Sequence, residues 1–113
     1  MEHIVHKNGG VTILDLSGEI DVSQAPKLRE MLFELLEKND GYLLVNMGEV
    51  GYIDSAGLSV LIAANRKAQN LGGKFGLSNP QKPVQQVFKL TRMNKVFQVF
   101  PTVDEGVTAF SEA

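Results

Sequence analysis

The order of the sequence patterns predicts an α/β domain built on a mixed, mostly parallel β-sheet. Short segments rich in β-branched and apolar residues alternate with longer segments of helical period. One apolar run, YLLVNM at residues 42–47, is typical of a strand that is covered on both faces. The turn Asn8-Gly9-Gly10, between two β-rich segments, indicates that the chain opens with an antiparallel hairpin.

The first half of the chain is predicted to form the hairpin, a helix and a third strand. The hairpin strands are residues 3–7 and 11–17, and the third strand is the apolar run. The helix has Ser23 as its expected N-cap, Pro26 in its first turn and a stop at residues 39–41. Its apolar face is predicted to hold Ala25, Leu28, Leu32, Leu35 and Leu36.

The second half alternates in the same way. A second helix is predicted to begin at Gly57 and end before Gly72-Gly73, and residues 74–78 and 96–100 form a strand and a short edge strand. A shorter helix lies in KPVQQVFKLT, and a last helix opens at Thr102 with a capping box. The inward face of the second helix is predicted to be Leu58, Leu61, Ile62, Asn65 and Ala68. The expected total is about five strands and about four helices in a single domain that takes in residues 1–113.

The composition excludes several classes of protein. A chain of 113 residues with 43% hydrophobic residues has the size and core content of one ordinary domain. Its formal net charge of -2 argues against direct binding of nucleic acid through phosphates. The sequence has no cysteine, which excludes disulfides and thiolate metal sites. We find no apolar run of membrane-spanning length and no leader, so we expect a cytoplasmic protein without membrane insertion.

Two loops, GEIDVSQ and GYIDSAG, each follow a predicted strand and open a helix. Loops at the carboxyl ends of neighbouring parallel strands converge on one edge of an α/β sheet, where ligands and partners bind. We therefore expect Asp21, Asp54 and Ser55 to lie near one another, provided that the two strands are adjacent.

Ser55 is poorly placed to be a catalytic nucleophile. The nucleophile elbow of α/β-hydrolases has a glycine two residues before the serine, where this chain has Ile53. A triad also needs a base, and the only two histidines, His3 and His6, lie on the first strand. Their spacing points them to opposite faces, so they are interpreted as surface residues rather than metal ligands. GEVG at residues 48–51 is interpreted as a plain loop, because it lacks the basic residues of a nucleic-acid clamp.

Two interpretations of the turn remain open on the residues alone. Either Asp54 or Ser55 fits the N-cap of the second helix, a contribution of about 1 kcal/mol. Capping does not need both residues, and it leaves Ala56 and Gly57 unexplained. A turn of Asp, Ser, a small residue and Gly would also leave a hydroxyl exposed, where the active site of another protein can reach it.

The chain resembles the STAS-domain family, and most of all its free-standing anti-sigma factor antagonists. The resemblance is carried by GEIDVSQAPKL, LLVNMGEVGYIDSAGLSVL and the segment from Gly72 to Val107, and it covers nearly the whole chain. The chain departs from the usual family pattern at Asn46, Gly48 and Ser59, and Ala56 replaces a frequent second serine. Ser55 keeps the position of the family's phosphorylated serine.

The resemblance implies a partner switch. An anti-sigma factor that is also a serine kinase would bind the chain, release its sigma factor and phosphorylate Ser55, and a serine/threonine phosphatase would reverse the modification. The implied partner-binding residues are Asp21, Val22, Ser23, Asp54, Ala56, Gly57 and Leu58. The first turn of the second helix, with Leu58, is expected to be contact surface, and no catalytic residue, cofactor or metal is expected. The alternatives are a STAS scaffold or regulatory subunit of a signalling assembly or membrane transporter and, with less support, an enzyme.

Overall fold

The computed structural model describes residues 1–111, which form one five-stranded sheet and the helices that cover it. In chain order the elements are β1 (Glu2–Asn8), β2 (Val11–Ile20), α1 (Ala25–Lys38), β3 (Leu43–Ile53), α2 (Ser55–Asn70), β4 (Phe75–Ser78), α3 (Lys82–Leu90), β5 (Gln98–Phe100) and α4 (Val103–Ser111). A single 3₁₀ turn, Met93–Lys95, connects α3 to β5. The predicted α/β class and the order of the elements are confirmed.

The sheet is mixed, and its strands lie in sequence order from β1 to β5. Only β1 is antiparallel to its neighbour; β2, β3, β4 and β5 pair in parallel. The opening hairpin closes through Gly9 and Gly10, which have φ values of 59° and 83°. Two consecutive positive φ angles are typical of a type I′ turn, which explains why both positions are glycine.

Helices cover both faces of the sheet. On one face α1, α2 and α3 pack over the larger core, to which β3 contributes Leu43 and Val45. On the other face α4 covers a smaller cluster that contains Leu44 and Phe110. Successive residues of a strand point to opposite faces, so β3 is buried on both sides, as its apolar sequence predicts.

The third strand is longer than predicted. It continues past the apolar run to Ile53, so the prediction of a plain loop at residues 48–51 is wrong. The pairing of β2 with β3 shifts register twice, between Asp15 and Ser17 and between Gly18 and Glu19. Extra residues of β3 are accommodated at these shifts, which allows a glycine-rich segment to stay in the sheet.

The helices follow the predicted patterns with small displacements. Pro26 lies in the first turn of α1, as predicted, but Leu35 is only half-buried. In α2, Val60 and Ala64 are buried, whereas the predicted inward residues Ile62 and Asn65 are half-buried. The predicted cap of α4 is present, since the Thr102 hydroxyl accepts a hydrogen bond from the Glu105 N–H at 3.1 Å. The expected short edge strand is β5.

None of the helices within residues 1–111 combines the length and the apolar character that crossing a membrane requires.

Candidate functional site

The loops that follow β2 and β3 meet at one edge of the sheet. The two strands are adjacent and parallel, and their last residues, Ile20 and Ile53, are in register. The Asp54 N–H donates a hydrogen bond to the carbonyl oxygen of Ile20 at 3.2 Å, which ties the two strand ends together. The condition for Asp21, Asp54 and Ser55 to share an edge is therefore met.

Asp54 is the N-cap of α2 and also joins the two loops. One carboxylate oxygen, Oδ1, accepts from the Gly57 N–H at 2.9 Å, which satisfies a free donor of the first helical turn. The other oxygen, Oδ2, accepts from the Val22 N–H in the neighbouring loop at 3.0 Å. The choice between Asp54 and Ser55 as the cap is thereby decided in favour of Asp54.

Asp21 organises the loop that precedes α1. Its Oδ1 accepts from the Ser23 N–H at 3.0 Å, the Gln24 N–H at 3.3 Å and the Ser23 hydroxyl. The bond from the Ser23 hydroxyl is the largest cause that holds the pKa of Asp21 below its ordinary value, with the backbone N–H groups acting in the same direction. The prediction that Ser23 caps α1 is wrong, because Gln24 is the N-cap residue and the Ser23 hydroxyl is turned to Asp21.

Ser55 is the first residue of α2 and its side chain is exposed. Val22, in the loop joined to Asp54, is 70% exposed, and Ser23 is exposed as well. We call Val22, Ser23 and Ser55 the serine edge. One helical turn beyond Ser55, the exposed Ser59 donates its hydroxyl proton to the Ser55 carbonyl oxygen at 3.0 Å. The serine edge thus presents the exposed Ser55 side chain and the apolar side chain of Val22, and the two loops that carry them also hold Asp21 and Asp54.

Gly57 and Leu58 are buried, unlike the serine edge. A Cβ on Gly57 would lie 2.8 Å from the carbonyl oxygen of Ile20 and from side-chain atoms of Ile20 and Ile53. Leu58 is only 8% exposed and packs into the larger core. The expectation that Leu58 is exposed is wrong, because the first turn of α2 packs directly against the ends of β2 and β3. Its role in partner binding stays a prediction. Ala56, between these residues and Ser55, is half-buried.

A polar network crosses the sheet from β1 to β3. The Nε2 atom of His6 lies 2.9 Å from Asp15 Oδ2, and Asp15 Oδ1 accepts from the Asn46 side-chain amide at 2.9 Å. Asn46 Oδ1 in turn accepts from the Gly48 N–H at 3.1 Å, where the register of β3 shifts. Sequence reasoning did not find this network, because its members lie on three strands and only their pairing brings them together. No group of residues suited to hold a metal ion is present in the described part of the chain.

Comparison with known proteins identifies the family of the chain. The family model for the STAS domain matches residues 3–106. The anti-sigma-F factor antagonist RsfB of Mycobacterium tuberculosis is 30% identical over 105 residues, which are 92% of this chain and 84% of that protein. The anti-sigma-B factor antagonist of Bacillus subtilis is 30% identical over 103 residues, which are 91% of this chain and 94% of that protein.

A solved structure shows the same fold. The crystal structure of an anti-sigma factor antagonist from Mycobacterium paratuberculosis superimposes with a TM-score of 0.86 at 28% identity, over 98% of this chain and 94% of that chain. With the family match over most of its length, the chain belongs to the STAS-domain family.

Proposed function

We propose that this chain is an anti-sigma factor antagonist that is controlled by phosphorylation of Ser55. In its unmodified form it binds an anti-sigma factor that is also a serine kinase, so that a sigma factor is released. Phosphorylation of Ser55 by that kinase ends the binding, and a serine/threonine phosphatase restores the hydroxyl. The relatives in M. tuberculosis and B. subtilis, both named anti-sigma factor antagonists, support the coarse role.

The observation that carries the proposal is the exposed hydroxyl of Ser55 at a turn whose capping is already done by Asp54. Because Asp54 supplies the cap, the Ser55 side chain is not needed to begin α2. Ala56 places only a methyl group beside it. A kinase can therefore reach the hydroxyl oxygen without displacing a bulky neighbour or breaking the helix cap.

The other proposed contact residues divide into two groups. Val22 and Ser23 are exposed and can touch a partner directly, with Val22 as an apolar anchor in the loop that is bonded to Asp54. Asp21 and Asp54 hold the two loops in place and add negative charge near the serine. Gly57 and Leu58 contribute to partner binding indirectly, because their packing holds the start of α2, and with it Ser55, against the sheet.

A phosphate on Ser55 would act on the interface more strongly than on the fold. It adds about -1.5 to -2 charges at pH 7. At the N-terminus of a helix that charge is favourable by roughly 0.3 to 1 kcal/mol. In an interface fitted to a neutral hydroxyl, the phosphate adds bulk and its charge must be buried with no opposite charge beside it, and burying an unpaired charge costs several kcal/mol.

The first test identifies the partner. The immobilised chain is incubated with a cell extract of the organism that produces it, with and without ATP. The proteins that bind are identified by mass spectrometry. We expect a kinase-fold anti-sigma factor that is retained without ATP and lost when ATP is added. Recovery of subunits of a signalling assembly or of a transporter, with no such kinase, would contradict the proposal.

The second test locates the phosphate. The purified partner is incubated with ATP and either the wild type, the Ser55→Ala variant or the Ser59→Ala variant, followed by intact mass measurement. Wild type and Ser59→Ala should each gain one phosphate, whereas Ser55→Ala should gain none and stay bound to the partner. Equal phosphorylation of the Ser55→Ala variant would show that the acceptor lies elsewhere.

A further inference from the structure

A second candidate binding surface lies between α3 and β5. A pocket of about 430 Å³ opens there, and its apolar walls include Pro80, Val99, Phe100 and Pro101. Lys82 and Lys89, both exposed, line it as well. No residue of the serine edge lines this pocket, so the two surfaces are made of different residues.

The lysines of this pocket belong to a long stretch without acidic residues. From Ser55 to Val103 the sequence has seven basic residues and no aspartate or glutamate. Residues 1–54, by contrast, carry ten acidic and four basic residues. The nearest acidic residues beyond the stretch, Asp104 and Glu105, line a different pocket on α4. The basic residues of the stretch are Arg66, Lys67, Lys74, Lys82, Lys89, Arg92 and Lys95.

The two stretches supply different strands of the sheet. The acidic stretch supplies β1, β2 and β3, and the basic stretch supplies β4, α3 and β5 at the other end of the strand order. Arg92 and Lys95, in the segment between α3 and β5, are exposed like the two pocket lysines. The residues that line the pocket therefore include two lysines and no acidic residue, although the whole chain has a net charge of -2.

Exposed apolar side chains accompany these cations. Leu90 is 84% exposed and follows Gln86, a pocket-lining residue, by one helical turn. Val96 is 45% exposed in the segment that leads to β5. A pocket with apolar walls and two lysines in its lining offers one site for a buried side chain and two cations for carboxylates.

We propose that this surface, defined by Pro80, Lys82, Lys89, Leu90, Phe100 and Pro101, binds an acidic peptide segment of a partner protein. An apolar side chain of the peptide fills the pocket, and flanking Asp or Glu residues face Lys82 and Lys89. The concave shape favours a peptide over an anionic membrane, since a flat bilayer surface does not fill a pocket. The inference does not depend on the proposed role of Ser55, because no residue of the serine edge takes part.

The test uses the full chain and a short fluorescein-labelled peptide, EEDLFDEE, in a fluorescence anisotropy titration. The peptide EEDSSDEE, which has the same charge without the apolar pair, and the cationic peptide KKRLFRKK serve as controls. We expect EEDLFDEE to bind about tenfold or more tightly than either control, since binding requires both charge complementarity and the apolar anchor. Chemical-shift changes in ¹H–¹⁵N spectra should centre on α3 and β5 and spare the serine edge.

Two double variants with the same net charge test where the peptide binds. The Lys82→Glu/Lys89→Glu variant should weaken binding of EEDLFDEE by about tenfold or more, because like charges then face each other. The Lys27→Glu/Arg66→Glu variant has the same net charge, with both changes at exposed positions outside the pocket, and should bind nearly as the wild type does. Similar weakening in both variants would overturn the proposal, as would binding to phosphatidylserine vesicles without binding to EEDLFDEE.

Discussion

At the scale of single residues, Asp54 links the helix that carries the candidate acceptor to the loop beside it. Its two carboxylate oxygens bind different N–H groups, those of Gly57 and Val22. The first bond is a local helix cap, and the second bond connects residues that are 32 positions apart in the sequence. A carboxylate is suited to this double role because it accepts on both oxygens and carries no proton that would need a partner.

We predict that Asp54→Asn destabilises the chain, because an amide can replace only one of the two acceptors. Whichever way the amide is turned, its NH₂ group faces a backbone N–H. The expected loss is about 1–2 kcal/mol for the hydrogen bond, and Asp54→Ala should lose about 1 kcal/mol more by removing the cap as well. Urea denaturation measures both losses.

The control for this prediction is Glu30→Gln, which makes the same change of charge at an exposed position of α1. It should leave the free energy of unfolding within about 0.5 kcal/mol of the wild type. If Asp54→Asn is as stable as the control variant, the bond between the two loops contributes nothing to the fold, and Asp54 serves the serine edge alone.

At the scale of elements, the position of α2 depends on how closely its first turn approaches the strands. The ends of β2 and β3 leave no room for a side chain at Gly57, and the next residue, Leu58, is buried in the larger core. These contacts hold the first turn of α2 against the sheet, and the Ser55 side chain stays exposed to solvent. The glycine is therefore required by packing, since its φ is not among the positive values of the chain.

We predict that Gly57→Ala destabilises the chain by about 1–3 kcal/mol, the usual cost of overpacking. Two of the close contacts are with side-chain carbons, which can shift, but the third is the carbonyl oxygen of Ile20. Gly51→Ala is the matched control, because a Cβ at Gly51 meets nothing within 4 Å. Thermal unfolding of the two variants provides the comparison, and equal midpoints would contradict the packing argument.

The limits of sequence prediction are clearest in β3 and α2. The apolar run at the start of β3 identifies a buried strand, but nothing local shows that Gly48 and Gly51 continue it, since both residue type and spacing suggest a loop. The register shifts that keep them in the sheet depend on β2. The Asp-Ser turn is visible in the sequence, whereas the bond from Val22 to Asp54 depends on which strands are adjacent. Hydrophobic periodicity and turn residues can be recognised within one segment of the sequence. The pairing of distant segments cannot be recognised in this way.

At the scale of the whole molecule, the serine edge is held by a sheet with one core on each of its faces. The larger core holds α1, α2 and α3 on one face, and the smaller core lies under α4 on the other. Leu58 and Leu61 connect α2 to the larger core from its first two turns. A change in charge at Ser55 therefore acts on a helix whose opposite side is already fixed by packing.

We predict that phosphorylation of Ser55 leaves the fold intact. Protein carrying phosphoserine at this position, made by genetic encoding, is compared with the unmodified chain and with Ser55→Ala. The helix N-terminus favours the added charge while Asp21 and Asp54 oppose it, so the net change in stability should stay below about 1 kcal/mol, a shift in Tm of no more than about 4–8 °C. Changes in ¹H–¹⁵N chemical shifts should be confined to the loop before α1 and the first two turns of α2. Shifts spread through β4, α3 and β5, or the loss of a cooperative unfolding transition, would mean that the phosphate reorganises the domain rather than its surface.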